Sequence, residues 1–141
     1  MACRSSDLQL DRSSLDFLAE RHLATLTTLR ADGSPHVVAV GFSYDAEAGV
    51  VRVITGGTSQ KVRNIDRGSR AAVCQIDGAR WLSLEGPAVV RRDEAAIAEA
   101  VRRYAERYQA PRLNDTRVAI EITVERILGR AAPLTGGPAR S

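Results

Sequence analysis

Two Asp-Gly pairs set the strongest constraint on how this chain folds. Asp32-Gly33 and Asp77-Gly78 each lie between two segments that have the composition of β-strands. Such a pair favours the two-residue turn of a β-hairpin, because Asp and Gly tolerate the backbone conformation that this turn requires. The flanking strands are predicted over His22–Leu29, Pro35–Tyr44, Ser69–Ile76 and Arg80–Arg91. Hairpins join antiparallel neighbours, so an antiparallel sheet is expected.

The remaining segments add two strands and three helices. Val50–Thr55 is one strand, and Val118–Ile127 is the clearest of all, since apolar and more polar residues alternate along it. Helices are predicted after a cap at Ser13 or Ser14, over Ser59–Arg67, and after a cap at Asp93. The third helix carries an apolar stripe at helical spacing, which indicates core or subunit contact. Its members are Ile97, Val101, Tyr104 and Tyr108.

The order of these elements predicts the fold class. Strands joined by short hairpins, with helices inserted between them, lack the strict alternation of parallel α/β folds. They predict a mainly β fold in which a six-stranded antiparallel sheet closes into a small barrel. The length of 141 residues fits one domain. We place that domain at residues 13–130, between flexible tails at 1–12 and 131–141.

Charge and cysteine content argue against several function classes. The net charge is only +3, with 17 acidic residues mixed among 20 basic ones, so the basic stripe typical of nucleic-acid binding is missing from the sequence. Neither histidine has acidic or cysteine neighbours at metal-ligand spacing, which predicts no metal site. No apolar run reaches the ~20 residues of a membrane span. The two cysteines do not suggest a disulfide framework, so a cytoplasmic protein is expected.

The segment Val53–Ile65 is a candidate phosphate site. It reads as the end of a strand, a turn of small residues and the first turns of a helix. The turn offers glycines, hydroxyls, an amide and the chain's single lysine, Lys61, while Asn64 shares a helix face with that lysine. Glycines admit close backbone approach, and N–H groups at a helix start attract an anion. The glycine spacing matches no common nucleotide motif, so a polar turn without a ligand is the alternative.

Trp81 is a second candidate functional residue. On the predicted strand Arg80–Arg91 it shares a face with Ser83 and Glu85, while two leucines lie on the other face. A tryptophan on the face opposite the leucines indicates a ligand cleft or a subunit interface. The alternative is a half-buried surface tryptophan without such a role.

Three segments, taken together, resemble the flavin- and deazaflavin-dependent split-barrel family, the relatives of pyridoxamine 5′-phosphate oxidase. They are His22–Val38, Thr55–Asn64 and Trp81–Gly86. The resemblance covers about residues 13–130 and is closest to the small deazaflavin enzymes of that family. It implies a homodimeric split barrel of the FMN-binding type, in which the cofactor lies in a groove between two barrels.

The resemblance also implies which residues bind the cofactor. Its phosphate and the start of its side chain would be held by Thr55, Gly56, Gly57, Ser59, Gln60 and Lys61. Its ring system would lie along His36, Val37 and Val38, and Trp81 would approach from the partner subunit. FMN enzymes of the family usually carry Arg-Lys where this chain has Gln60-Lys61. Loss of that arginine removes a bidentate phosphate clamp, which favours coenzyme F420, a deazaflavin with a diester phosphate, over FMN.

The expected activity is therefore that of an F420-dependent reductase. Hydride would pass from the reduced deazaflavin to a conjugated acceptor, biliverdin above all, giving bilirubin. Three alternatives stay open: an FMN-dependent oxidase of the pyridoxamine-phosphate type, a non-catalytic module that carries a deazaflavin or a tetrapyrrole, and an F420-dependent quinone or nitro reductase. No catalytic residue is assigned, because the cofactor does the difficult chemistry and solvent can supply the proton. His36 is a candidate acid, with a structural role as the alternative.

Overall fold

A computed structural model of the chain describes residues 2–4 and 10–131, and in it the predicted antiparallel sheet is confirmed. The strands are β1 (Ala2–Arg4), β2 (Ala24–Leu29), β3 (Pro35–Val40), β4 (Ser43–Asp45), β5 (Val50–Gly56), β6 (Arg70–Asp77), β7 (Arg80–Arg91), β8 (Arg117–Thr123) and β9 (Arg126–Arg130). The helices are α1 (Arg12–Ala19), α2 (Gln60–Asp66) and α3 (Glu94–Arg107). Much of both predicted tails lies outside the described residues, so their flexibility and the domain bounds stay predictions.

Strand β7 joins the two halves of the sheet. Its first part pairs with β6 on one side and β9 on the other, whereas Ala88–Arg91 pairs with β8. Gly86 lies between the residues that pair with β9 and those that pair with β8. A Cβ there would stand 1.8 Å from the carbonyl oxygen of Thr123, so a side chain has no room. The strand order is β3-β2-β6-β7-β8-β5-β4. The sheet thus splits along β7 into one half around β6 and one around β8.

The prediction of six strands is wrong in number, first because Pro35–Tyr44 forms two strands. The chain leaves β3 at Gly41 and starts β4 at Ser43. A Cβ at Gly41 would lie 3.0 Å from the rings of both Tyr104 and Tyr108, so the backbone here passes directly against these two side chains. That packing interrupts the ladder, and β4 pairs with β5 instead of continuing beside β2.

The segment Val118–Ile127 also forms two strands. The N–H groups of Val124 and Glu125 donate to the carbonyls of Gly49 and Glu85, outside the ladder that β8 forms with β5. The chain then enters β9, which pairs with β7 and β1. β1 itself lies in the segment predicted as a tail.

Capping residues define the starts of α1 and α3. The carboxylate of Asp11 accepts a hydrogen bond from the Ser14 N–H at 2.8 Å, so the predicted cap at Ser13 or Ser14 is wrong and both serines lie inside α1. The predicted cap of α3 is confirmed, since the Asp93 carboxylate accepts from the Ala96 N–H at 3.1 Å. None of these helices is long and apolar enough to span a bilayer in the described part of the chain.

The core lies between the two halves of the sheet. Its fully buried side chains come from alternate positions of the central strands, and two phenylalanines, Phe17 and Phe42, complete it. The strand members are Leu26, Val51, Val53, Val73, Leu84, Ile120 and Ile122. Helix α3 turns Ala96 and Ala100 towards the sheet, whereas the predicted stripe is only half-buried. Two of its members, Tyr104 and Tyr108, pack against Gly41 of the same chain.

Candidate functional site

The predicted strand–turn–helix is confirmed, with β5 ending at Gly56 and α2 beginning at Gln60. Gly57 sits against the chain that precedes β8: its N–H donates to the Thr116 carbonyl at 2.8 Å, and a Cβ would lie equally close to that oxygen. A glycine is therefore required at this point. Gly56 is under no such constraint, since the nearest atom to its Cβ position is 3.6 Å away.

A cavity of about 440 Å³ opens beside this turn. Thr55 and Lys61 line it from the turn and α2, and Tyr104 lines it from α3. Its remaining walls are the end of β3 and the loop between α3 and β8. Residues from these walls are Ala39, Val40, Gly41, Arg112, Asn114 and Arg117, among others. The cavity thus combines an apolar wall with a cationic rim.

Lys61 is the group that most clearly suits an anionic ligand. It is half-buried, and burial lowers the pKa of its ammonium group. Within residues 10–131 it forms no hydrogen bond and no ion pair, so its charge is left uncompensated by the protein. A phosphate beside it would supply the missing counter-charge. Because α2 has only seven residues, this side chain outweighs the helix end as a source of positive potential.

Asn64 has a structural role within the chain. Its side chain is fully buried. Its Oδ1 accepts hydrogen bonds from Gln60 Nε2 at 2.7 Å and Arg67 Nη2 at 2.8 Å, and its Nδ2 donates to Thr28 Oγ1 at 2.9 Å. The bond to Thr28 joins α2 to β2 and so fixes the position of Lys61. A direct contact of Asn64 with a cofactor stays a prediction.

The predicted ring-binding residues His36, Val37 and Val38 do not line the cavity, to which β3 contributes Ala39 and Val40. The Nδ1 atom of His36 is buried without a hydrogen-bond partner among the described residues. Burial first, and then the positive charges of Arg30 and Lys61, lower the pKa of His36 and favour the neutral ring. Val38 packs against the core and Val37 is exposed on the other face, so their contact with a ring system stays a prediction.

Trp81 does not line the cavity. It pairs with Ile76 in β6 and with Arg130 in β9, and its side chain is half-buried on the outer face of that half of the sheet. Its Nε1 is buried and has no hydrogen-bond partner in the described chain. A single chain therefore brings Thr55 and Lys61 together but leaves Trp81 apart from them.

Sequence reasoning missed the loop between α3 and β8. Arg112, Asn114 and Arg117 reach the cavity only because Thr116 lies against Gly57, which is 59 positions earlier in the chain. No residue spacing within the loop predicts the contact between Thr116 and Gly57. The only available signal was the presence of two arginines around an otherwise small and polar segment.

One carboxylate cluster bears on the predicted lack of a metal site. Glu20, His22 and Asp77 lie close enough together to share an ion. Arg80 already pairs with both carboxylates of this cluster, at 2.7 Å in the case of Glu20. The arginine lowers the pKa of Glu20 to about 2. The Arg80 guanidinium supplies the positive charge that a metal ion would otherwise bring to these carboxylates. The lack of a metal site stays a prediction.

Comparison with known proteins gives one family. The family model of pyridoxamine 5′-phosphate oxidase matches residues 10–131. An F420H(2)-dependent biliverdin reductase from Mycobacterium tuberculosis (strain CDC 1551 / Oshkosh) is 56% identical over 93% of this chain and 96% of its own.

Two solved structures have a similar fold. An F420 reductase matches with a TM-score of 0.68 and 26% identity, over 86% of this chain and 98% of its own. A conserved hypothetical protein from Mycobacterium tuberculosis matches with a TM-score of 0.74 and 23% identity, over 97% and 98% of the two chains.

Replacement of Asn64 by alanine tests its structural role. We expect Asn64→Ala to lower the free energy of unfolding by about 2–3 kcal/mol, because the Thr28 hydroxyl and its neighbours lose a buried partner. Urea denaturation followed by circular dichroism measures this change. The matched control is Asn114→Ala, which alters the chain's other asparagine at an exposed position and should change stability little. Equal stability of the two variants would contradict the role assigned to Asn64.

Proposed function

The chain belongs to the pyridoxamine 5′-phosphate oxidase family, and from that membership we propose that it is a coenzyme F420-dependent reductase of biliverdin. The observation that carries the proposal is the 56% identity, over nearly the whole of both chains, to a relative named for that activity. The structural likeness to an F420 reductase supports the same cofactor.

The site residues fit a deazaflavin that carries a phosphodiester. Lys61 presents a half-buried, uncompensated ammonium to the cavity, and Gly57 lets the backbone of the turn pass close to the Thr116 carbonyl. We assign the phosphate to Thr55, Gly56, Ser59 and Lys61, with Gly57 shaping the turn, and the ring system to the β3 side of the cavity. Reduced F420, when bound, supplies the hydride. The protein's part is to orient cofactor and acceptor and to exclude water between them.

The acceptor site follows from the shape and charge of the cavity. Ala39, Val40 and Ile54 give an apolar wall suited to a flat conjugated molecule, and Arg112 and Arg117 stand at the rim. No described ion pair engages these two arginines. Biliverdin has two propionate carboxylates, and we assign them to this pair of guanidinium groups.

Proton delivery does not require a side-chain acid at this site. His36 is the only titratable side chain of β3, and the lowering of its pKa disfavours the protonated ring that an acid would need. Solvent at the open side of the cavity therefore completes the reduction. This assignment leaves the chain without a catalytic residue in the strict sense, and the protein acts by binding and orientation.

We also propose that the protein is a homodimer through the outer face of the β3-β2-β6-β7 half of the sheet. Leu23, Val37 and Ile76 on this face are 64%, 55% and 60% exposed. Ile76 lies directly opposite Trp81 in the register of β6 and β7, and Cys74 follows two positions away on the same face. Such an apolar face fits a second copy of the chain. In that arrangement the partner's Trp81 approaches a cavity that a single chain leaves incomplete.

The proposed function is tested by titration and turnover. Purified protein should quench or enhance F420 fluorescence saturably and bind FMN weakly. With reduced F420 under anaerobic conditions it should convert biliverdin to bilirubin, which absorbance spectra follow directly. Tight FMN binding without F420 binding would move the chain to the flavin branch of the family. Binding of F420 and biliverdin without consumption of reduced cofactor would make it a carrier.

Replacement of Lys61 tests the phosphate assignment. Lys61→Ala should weaken F420 binding about tenfold, because the charge that compensates the phosphate is lost. Lys61→Arg keeps the charge and should keep most of the affinity. Fluorescence titration measures both, and a thermal melt checks that each variant is folded. An F420 affinity that stays the same in Lys61→Ala would rule the assignment out.

A charge on the outer sheet face tests the dimer. Ile76→Arg places a guanidinium at the centre of the proposed interface and should convert the dimer to a monomer in light scattering, with a parallel loss of F420 affinity. Val89→Arg is the matched control, since Val89 is equally exposed but belongs to the other half of the sheet. A wild-type monomer that binds F420 one-to-one would refute the proposal.

A further inference from the structure

We infer that Arg63, held in place by Gln60, supplies the second cation for the cofactor's phosphodiester. The inference rests on the proposed function and concerns the position at which this chain departs from the FMN enzymes. Gln60 is then a positioning residue for Arg63 and not itself a phosphate ligand. Three observations support this assignment: the engagement of the Gln60 amide, the placement of the Arg63 guanidinium, and the charge of that guanidinium.

The side-chain amide of Gln60 is engaged at both ends. Its Nε2 donates to Asn64 Oδ1 at 2.7 Å, and its Oε1 accepts from Arg63 Nη2 at 2.7 Å. Asn64 is fully buried and bonded to Thr28, so the donor end of the amide is attached to a fixed point. A phosphate oxygen would have to displace one of these bonds to reach Gln60. The amide therefore serves as a link between a buried anchor and Arg63.

The second contact of Arg63 places its guanidinium on the turn itself. Its Nη1 donates to the carbonyl of Thr58 at 2.8 Å, within the segment that joins β5 to α2. With one bond to Thr58 and one to Gln60, the guanidinium is fixed by two acceptors, and its Nε–H and other N–H groups remain for a ligand. Two fixed acceptors reduce the side-chain freedom that a ligand would otherwise have to freeze.

The charge of Arg63 is also uncompensated. Both of its acceptors are neutral, and no carboxylate among residues 10–131 pairs with it. Several exposed arginines elsewhere differ: Arg92 pairs with Asp66 at 2.7 Å, and Arg102 pairs with Glu99 at the same distance. Lys61 lines the cavity, whereas Arg63 lies outside it and bonds to the turn, so two cations flank one turn. The phosphodiester is assigned to this turn, with its chain continuing outward past Arg63.

A double-mutant cycle with two ligands tests the inference. The ligands are F420 and the deazaflavin nucleoside that ends at its ribityl hydroxyl and lacks the phosphate. Arg63→Gln should weaken F420 binding about tenfold and leave binding of the nucleoside unchanged. Gln60→Ala should weaken F420 binding about threefold, since the guanidinium is then held less firmly. The double variant should bind F420 no worse than Arg63→Gln alone, because Gln60 acts only through Arg63.

Other outcomes overturn the inference. Additive losses in the double variant would mean that Gln60 contacts the cofactor directly. The matched control is Arg92→Gln, which removes one exposed charge that pairs with Asp66 at the end of α2. An equal loss of F420 affinity in that control would mean that positive charge around the helix attracts the cofactor non-specifically. If wild-type protein binds the nucleoside and F420 with equal affinity, the phosphate contact is refuted and the deazaflavin site is kept. If it binds neither ligand, the proposed function is refuted as well.

Discussion

The close backbone contact between Gly86 and Thr123 is the constraint on which the rest of the structure depends. A strand can pair with β6 and β9 along one part and with β8 along the other only if its backbone passes directly against Thr123, and a side chain at Gly86 would prevent this. The split that results gives the sheet two halves. One half carries β5 and the turn beside the cavity, and the other half has exposed apolar side chains on its outer face. Both features depend on one close backbone contact.

Features encoded by near neighbours in the sequence were predictable. The two Asp-Gly turns, the alternation along β8 and the Asp93 cap each depend on a few adjacent residues, and the structure confirms them. Features that depend on distant contacts were not. The break between β3 and β4 at Gly41 arises from two tyrosines more than 60 positions away. No residue near Asn64 in the sequence indicates that its side chain bonds to Thr28. Lys61 and Thr55 were found because turn chemistry is local, whereas Arg112 and Arg117 depend on tertiary packing.

The distribution of charge explains how a nearly neutral chain serves an anionic cofactor. Across much of the described surface, arginines pair with carboxylates in short ion pairs such as Arg70–Glu125 and Arg126–Glu85. Around the turn and the cavity they do not: the described residues Lys61, Arg63, Arg112 and Arg117 have no carboxylate partner. A net charge of +3 therefore understates the local positive potential. Such a local excess attracts an anionic molecule to one side of the protein.

The hydrogen bond between Gly57 and Thr116 has a consequence for the thermodynamics of binding. It joins the phosphate turn to the loop that bears the rim arginines, so the two walls of the cavity hold each other in position. Ordering a backbone residue costs about 1–2 kcal/mol in conformational entropy. Because this hydrogen bond forms when the chain folds, that entropy is lost on folding and not on ligand binding. The cavity is preorganised, and a cofactor that enters it keeps more of its interaction enthalpy as affinity.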